Sequence, residues 1–451
     1  MDLIPNTRFQ ITPEKKITGD IIIPGDKSIS HRAIILSSIN DYATDIDNIL
    51  LSDDVLSTIN IMRALGVEII IDSEKKSARV YGVGLHGLKA PKKPLNCGNS
   101  GTTMRLLCGL LSAQKFNSVL IGDQSLSKRP MLRIAEPLRL MGAKINLSEN
   151  NTAPIEMTGH QNLVGIDYAV IIPSAQVKSG ILLASLYASG KTTIREIMPT
   201  RDHTEKMLLS SSPDKANFGT APGKANFSSS PGRASALHIP GDISSAAFFI
   251  VLAAITKDSD ITLREVGVNP FRTGIITILK LMGADIELFH RQFFGEEPVA
   301  DIRIKYAPLH GITIPSELIS KSIDEFPIIF IAAVTAKGNT VLRGARELRI
   351  KESDRITAMI KNFNALNIKT IEYDDGILIY GEQEFHGGRV NSFGDHRIAM
   401  SFAIAGNSAK DTVFIDDCAC VNTSFPDFAG LIRQVGMDVG VENEFDKSGT
   451  L

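Results

Sequence analysis

Six times along this chain a short polar or glycine-rich turn feeds directly into an apolar, helix-length stretch. The stretches are GDKSISHRAIILSS from Gly25, GNSGTTMRLLCGLLS from Gly98, PSAQVKSGILLASLY from Pro173, GDISSAAFFIVLAAI from Gly241, DEFPIIFIAAVTA from Asp324 and GDHRIAMSFAIAG from Gly394. Their starts lie 73, 75, 68, 83 and 70 residues apart. A near-fixed period of this kind calls for a repeat architecture. A second element keeps the same period. Amphipathic stretches end at Gly66, Gly142, Gly283, Asn367 and Gly436, which lie 41, 44, 42, 43 and 42 residues after the start of the apolar stretch before them. Glycine and asparagine suit the left-handed position that closes a helix. The alternating residues that follow read as strand, and IKTIEYDDGILIYG reads as a hairpin with Asp-Gly at its turn.

One repeat is therefore strand, buried helix, strand, amphipathic helix, strand, strand. Six copies account for the chain. A helix that is apolar all round, such as the one following Asp242, must be buried by its neighbours. Three such helices packed together under sheets and outer helices make one domain, so six copies make two, an α/β (α+β) arrangement. The third copy is interrupted. Where its helix end should fall, near residue 215, residues 210–235 read SSSPDKANFGTAPGKANFSSSPGRAS, with KANF occurring twice. Serine, proline and glycine at this density bury too little apolar surface to order a chain, so a flexible loop is predicted.

Composition excludes several function classes. With 451 residues, 43% hydrophobic, 22% charged and a formal net charge of −2, the chain lacks the basic excess of a nucleic-acid or membrane-surface binder. The longest apolar run, Ala246–Ile255, is too short for a bilayer. The scattered charges of MDLIPNTRFQITPEKKITGDIII give no signal-peptide core. A cytoplasmic location is expected. Cys97, Cys108, Cys418 and Cys420 show neither metal spacing nor a disulfide framework.

Each buried helix carries its polar residues at its N-terminus, where unsatisfied backbone N–H groups and the positive end of the dipole attract anions. Lys27, Ser28 and Arg32 open the first helix. Asn99, Ser100, Gly101 and Thr102 open the second, with Arg105 one turn in. Ser174, Gln176 and Lys178 open the third, Asp242, Ser244 and Ser245 the fourth, Asp324 the fifth, and His396 and Arg397 the sixth. The segments LSKRPM, PTRDHTE and LRIKESDRI add Arg129, Arg201, Lys351, Glu352 and Arg355. Serine and aspartate at a helix start are ordinary caps, and GNSGTT lacks the Gly-Lys-Ser/Thr of a Walker A loop. The recurrence of cations at equivalent points of the period points instead to a small polyanionic ligand.

Nine segments, PGDKSISHR, GNSGTTMR, KRPM, SAQVKS, TRDHTE, PGDISSAAFF, KESDR, GDHRIAM and SFPDF, run in order from residue 24 to 428. Together they resemble the motifs of the 5-enolpyruvylshikimate-3-phosphate synthase family, in the bacterial form often called class II. The resemblance implies two inverted-barrel domains, each of three βαβαββ units with buried parallel helices, joined by a double crossover and closing on the ligands. The first would span about 21–239, the shikimate 3-phosphate side. The second would span 240–451 together with 1–20. The implied reaction moves the enolpyruvyl group of phosphoenolpyruvate to the 5-hydroxyl of shikimate 3-phosphate and releases phosphate, through a tetrahedral adduct and without metal or organic cofactor. The implied partners are these two small molecules, with no nucleic acid or membrane, and a monomer is expected.

By the same resemblance Lys27, Gly101, Arg129, Gln176, Arg355 and Arg397 hold phosphoenolpyruvate. Lys27, Ser28, Arg32, Ser174, Ala175, Gln176, Arg201, Asp324 and Lys351 hold shikimate 3-phosphate. Asp324 is the base on the 5-hydroxyl, Glu352 protonates the methylene carbon, and Lys27 assists proton transfer. The chain departs from another branch of the family at Ala175, which replaces a serine, and at Thr423, which replaces a lysine. Two other readings exist. A relative that acts on UDP-N-acetylglucosamine shares the fold, but typically has Lys-Asn where Lys27-Ser28 stands, and a mobile-loop cysteine, whereas Cys108 lies in an apolar stretch. A non-catalytic anion binder would have little use for Asp324 and Glu352 among its cations, because carboxylates oppose anion binding unless they move protons.

Overall fold

A computed structural model describes residues 6–14, 16–210 and 235–443. The predicted loop at 210–235 thus lies, for residues 211–234, outside the described residues, as does the missing end of the third repeat. The chain divides into two compact units. One comprises Met1–Pro24, Gly241–Gln292 and Pro298–Leu451; the other comprises Gly25–Pro240 and Phe293–Glu297. The division falls at 24/25 and 240/241, and the hairpin tip 293–297 groups with the unit of Gly25–Pro240 although its strands belong to the other.

The repeat is legible in the sheets. Among the described residues the four-stranded sheets share one order: the strand before the buried helix, the parallel strand after it, then the later hairpin strand antiparallel to that one, and outermost the earlier hairpin strand antiparallel to its hairpin partner. In the unit of Gly25–Pro240 one sheet runs Ser235–His238, Ala43–Asp47, Ser77–Tyr81, Glu68–Asp72, and the next runs Leu95–Asn96, Ser118–Ile121, Ile155–Thr158, Lys144–Asn146. Asp167–Val170 pairs in parallel with Thr193–Glu196. In the other unit the orders are Thr18–Ile22, Asp260–Gly267, Glu297–Lys305, Asp285–Phe294; then Thr340–Leu342, Gly376–Ile379, Thr370–Tyr373; then Gly388–Asn391, Val413–Asp416, Thr7–Thr12, Asp438–Asn443.

Two strands are exchanged relative to a simple tandem repeat. Thr18–Ile22 precedes the first buried helix but pairs with Asp260–Gly267. Ser235–His238 precedes the fourth but pairs with Ala43–Asp47. The sixth repeat takes its last strand, Thr7–Thr12, from the start of the chain. The chain leaves the first exchanged strand at Gly25, where a Cβ would stand 1.9 Å from the Asn48 carbonyl oxygen, so no side chain fits. The hairpin at 370–379 also differs from expectation. Asp374 and Asp375 form its turn, and Gly376 is already paired with Tyr373.

The helices follow their sequences closely. Ile243–Ile255 is buried at every residue from Ile243 to Ala254, and the Asp242 carboxylate accepts from the Ser244 N–H at 2.8 Å. Asp26, Ser100, Ser174 and Asp395 cap the first, second, third and sixth buried helices in the same way. The fifth, Phe326–Thr335, instead places Pro327 in its first turn after Glu325, where the missing proline N–H is no loss. All five predicted helix-closing residues have positive φ: Gly66, Gly142, Gly283, Asn367 and Gly436 at 92°, 99°, 97°, 60° and 104°. In three repeats an arginine three residues earlier locks the following strand. Arg63, Arg139 and Arg433 each donate twice to one carbonyl, of Ile69, Ile145 and Val439. No described helix is long and apolar enough to cross a membrane.

The helices Gly101–Leu111 and Ala175–Ser185 touch backbone to backbone at Gly109, whose Cβ would sit 1.9 Å from the Gly180 carbonyl oxygen. Neither helix can yield locally, so Gly109→Ala is expected to cost at least the ~1–3 kcal/mol of ordinary overpacking. A lowered thermal midpoint checks this, and an unchanged midpoint would contradict the contact.

In the first buried helix, Lys27–Ser38, His31 is fully buried. Its Nδ1 lies 2.7 Å from Thr58 Oγ1, which bonds in turn to Thr103. Burial, and after it the charges of Lys27 and Arg32, hold its imidazole well below the ordinary value of 6.5. Below pH ~6.5 the unfolded chain takes up a proton that the folded chain refuses, so stability present above that pH is lost as pH falls through it. Thermal melts from pH 7.5 to 5 should show His31→Gln losing less stability per pH unit than the parent. Equal slopes would contradict this.

Candidate active site

The starts of the buried helices are bound to one another by the side chains they carry. In the unit of Gly25–Pro240, Gln176 on Ala175–Ser185 donates from Nε2 to Thr102 Oγ1 at 2.9 Å and accepts on Oε1 from Arg105 at 2.5 Å, both on Gly101–Leu111. Arg32 on Lys27–Ser38 donates to Ser179 Oγ and to Thr204 Oγ1, each at 2.7 Å, and to its own helix at the Ser28 carbonyl. Arg201 donates to Ser28 Oγ at 3.2 Å. Three helix N-termini therefore meet in one polar cluster, with their positive ends adding there.

Around this cluster stand the remaining expected residues of that unit. The Lys27 ammonium pairs with Asp54 at 2.9 Å. Arg129, 7% exposed, donates to Asn99 Oδ1 at 2.6 Å and to Ser125 Oγ at 3.3 Å. Asn99 is itself fixed by donating to Asp123 at 2.7 Å. A Cβ on Gly101 would lie 2.9 Å from Arg105 Nη1 and 3.4 Å from Arg129 Nη1, so glycine lets both guanidiniums approach this helix start. Ser174 caps its helix by accepting from the Val177 N–H at 3.4 Å. Ala175, the first helical residue, offers only its backbone.

The other unit gathers its residues on one guanidinium. Arg355, 1% exposed, opens the helix Arg355–Ala365. It donates to Asp395 at 2.8 Å and to Glu352 at 2.7 Å, and stands 3.6 Å from Asp324. Burial works against its charge, but the carboxylates of Asp395, Glu352 and Asp324 more than offset that and hold it charged above its ordinary range. Lys351 approaches Asp324 at 3.4 Å. Asp324 lies just before the helix it was expected to open, and Glu325 takes the cap position. Asp395 caps the sixth helix by accepting from the Arg397 N–H at 2.9 Å, and the Arg397 guanidinium stands 3.7 Å from Glu325. Thr423, where the other branch has a lysine, donates to the Cys420 carbonyl at 2.7 Å and faces His396 at 3.3 Å.

Sequence reasoning missed several groups that hold these. Glu325 accepts from Ser244, which in turn accepts from Arg272 at 2.6 Å, tying the fourth and fifth helix starts. Asp54 sits in a helix-opening Asp-Asp pair that reads as capping. Asp395 reads the same way. Lys178 was expected to face a ligand, yet its ammonium is buried against Glu196 and Glu205, at 2.8 Å each. Cys97, Cys108 and Cys418 are buried and free, and burial pushes the Cys108 thiol up to about 12.

Asp202, His203 and Glu297 bring one metal-ligand-type atom each within 4.8 Å of one another. The geometry is that of a hydrogen-bonded pair. His203 Nδ1 lies 2.6 Å from Glu297 Oε1, closer than the ~3.4 Å between two ligands bound tetrahedrally at ~2.1 Å. Asp202 is paired with Lys206 at 3.3 Å.

Known proteins resemble this chain over nearly its whole length. Residues 11–431 match the family model described as EPSP synthase (3-phosphoshikimate 1-carboxyvinyltransferase). A 3-phosphoshikimate 1-carboxyvinyltransferase of Methylococcus capsulatus is 52% identical over 433 residues, 96% of this chain and 98% of the relative. One from Coxiella burnetii is 49% identical over 435 residues, with the same coverage of each. The structure of EPSP synthase from Acinetobacter baumannii superposes with a TM-score of 0.84 at 46% identity, covering 97% of this chain and 100% of that one. The enolpyruvyl transferase NikO from Streptomyces tendae shares the fold alone, with a TM-score of 0.76 at 14% identity over 97% of this chain and 99% of its own. The α/β fold, the ordered motifs and the full-length matches agree: the chain belongs to the EPSP synthase family.

Proposed function

We infer that the protein is a 3-phosphoshikimate 1-carboxyvinyltransferase, forming the enolpyruvyl ether at the 5-hydroxyl of shikimate 3-phosphate from phosphoenolpyruvate with release of phosphate. The observation that carries the mechanism is the shared partner of two carboxylates. Asp324 and Glu352, the groups assigned proton work, both face the Arg355 guanidinium, at 3.6 Å and 2.7 Å.

Two phosphates and two carboxylates must be brought together, and only fixed cations can offset their repulsion. In this reading Lys27, Arg129, Arg355 and Arg397 take the phosphoenolpyruvate anion, with Gly101 and Gln176 lining it. Ser28, Arg32, Ser174, Ala175, Gln176, Arg201 and Lys351 take the acceptor. Asp324 accepts the proton of the 5-hydroxyl as its oxygen attacks C2 of phosphoenolpyruvate. Glu352 delivers a proton to C3, making a methyl group, and Lys27 assists proton transfer. The tetrahedral adduct then loses phosphate and one methyl proton to regenerate the double bond. Phosphoenolpyruvate competes with Glu352 for the Arg355 guanidinium, which Glu352 meets at 2.7 Å.

Phosphate release from phosphoenolpyruvate, measured with shikimate 3-phosphate, with UDP-N-acetylglucosamine and with no acceptor, tests the reading. Release is expected with shikimate 3-phosphate alone. Release with the UDP-sugar alone, or with neither, would overturn it. The burial of Cys108 within Gly101–Leu111 supports the first outcome, since the UDP-sugar relative typically uses a cysteine on a mobile loop.

A further inference from the structure

Lys178 is a buried lysine that the mechanism does not use. It sits one turn into the helix Ala175–Ser185, 5% exposed. Its ammonium pairs with Glu196 Oε2 and Glu205 Oε1, at 2.8 Å each, and donates to the Thr200 carbonyl at 3.4 Å. Glu196 uses its other oxygen to accept from the Thr200 N–H at 3.2 Å and from the Thr200 hydroxyl. Lys178 and Glu196 therefore grip Thr200, and Lys178 grips Glu205.

The short stretch between these two anchors contains Arg201 and Thr204. Arg201 donates to Ser28 Oγ at 3.2 Å. Thr204 accepts from Arg32 Nε at 2.7 Å and donates to Ser179 Oγ at 2.8 Å, and Ser179 also accepts from Arg32. One ammonium thus holds both ends of the segment that carries one acceptor-binding arginine and aims the other.

We propose that Lys178 is a positioning residue for the shikimate 3-phosphate site: through Glu196, Glu205 and Thr200 it sets Arg201 directly and Arg32 by way of Thr204. The inference rests on the acceptor assignment made above. Its physical basis is that Glu205 has a buried carboxylate oxygen with no hydrogen-bond partner among the described residues, so this anion depends on the ammonium to stay in place. Without Lys178, two carboxylates of like charge face each other in a poorly solvated pocket. They separate, and the Thr200–Glu205 segment moves with them. Lys27, Arg129, Arg355 and Arg397 do not lie on that segment, so phosphoenolpyruvate binding is spared.

Steady-state kinetics of Lys178→Met with each substrate varied in turn tests this. About a tenfold or larger rise in KM for shikimate 3-phosphate is expected, the size of losing one well-placed ionic contact. KM for phosphoenolpyruvate should stay within about threefold. Glu205→Gln, which leaves the Lys178–Glu196 pair intact, should give the same split at a smaller, severalfold size, and it carries the test should Lys178→Met fail to fold. Equal shifts in both KM values, or a fall in kcat alone with both KM values unchanged, in whichever variant folds, would overturn the proposal. If the parent protein does not turn over shikimate 3-phosphate, the acceptor assignment fails instead, and the two failures are distinguishable.

Discussion

Glu352→Gln is expected to lower kcat by about 10²- to 10⁴-fold, the contribution of a positioned general acid. The substitution is nearly isosteric. A glutamine carbonyl can still accept from Arg355, which now meets Glu352 at 2.7 Å, so the guanidinium keeps a partner and the fold is spared. What is lost is the proton for C3 of phosphoenolpyruvate. Binding of both substrates should survive within a few-fold, because Lys351, Asp324 and Arg397 are untouched. Substrate KM values, kcat and the thermal midpoint of the purified variant check the prediction together. Turnover near the parent level would show that another group protonates the carbon. An equal loss of turnover and of thermal stability would show that Glu352 is structural.

Arg355→Met is expected to have the larger effect on the fold. Its guanidinium is the counter-charge of Asp395, whose side chain is fully buried. Removing one partner of such a pair strands the other and costs about 3–5 kcal/mol. Spread over units of this size, that lowers the thermal midpoint by roughly 6–20 °C. Among the described residues the Asp395 carboxylate would keep the bonds from the Ser353 hydroxyl and the Arg397 N–H, at 3.1 Å and 2.9 Å. Removing its charge as well should restore part of the loss, so the Arg355→Met, Asp395→Asn double variant should melt above Arg355→Met alone. Both should be nearly inactive, since the cation that faces Glu352 and Asp324 is gone. A single variant melting within about 2 °C of the parent would contradict a structural role for the pair.

The repeat could be read from sequence because its signals are local. An apolar helix is visible in fifteen residues, and a glycine or asparagine that closes a helix needs no distant partner. The exchanged strands could not be read. Pro24-Gly25-Asp26 and Pro240-Gly241-Asp242 are the same local signal, and nothing in either tells the preceding strand which sheet to join. The turn at 370–379 misled for a related reason. Gly376 is required not by the turn but by the Leu342 carbonyl, 1.9 Å from where its Cβ would stand.

At the site, motif resemblance named the charged groups, but the structure shows what holds them. Glu325 and Ser244 are 81 residues apart in sequence, and each reads as an ordinary helix-start residue until the fold joins them. Lys178 shows the converse. A lysine at a helix N-terminus reads as an anion ligand, and only Glu196 and Glu205, brought in by a strand and a later helix, turn it inward. Partner choice among buried charges is set by tertiary contacts, which sequence spacing does not encode.

The most direct test of the proposed chemistry is the reaction of phosphoenolpyruvate with shikimate 3-phosphate in D₂O, followed by proton and phosphorus NMR. Protonation of C3 to a methyl group, followed by loss of one methyl hydrogen with phosphate, predicts an enolpyruvyl ether at the 5-oxygen whose methylene carries deuterium. Phosphate appearing without an ether at that oxygen, or an ether whose methylene carries none, would contradict the addition–elimination mechanism assigned to Asp324 and Glu352.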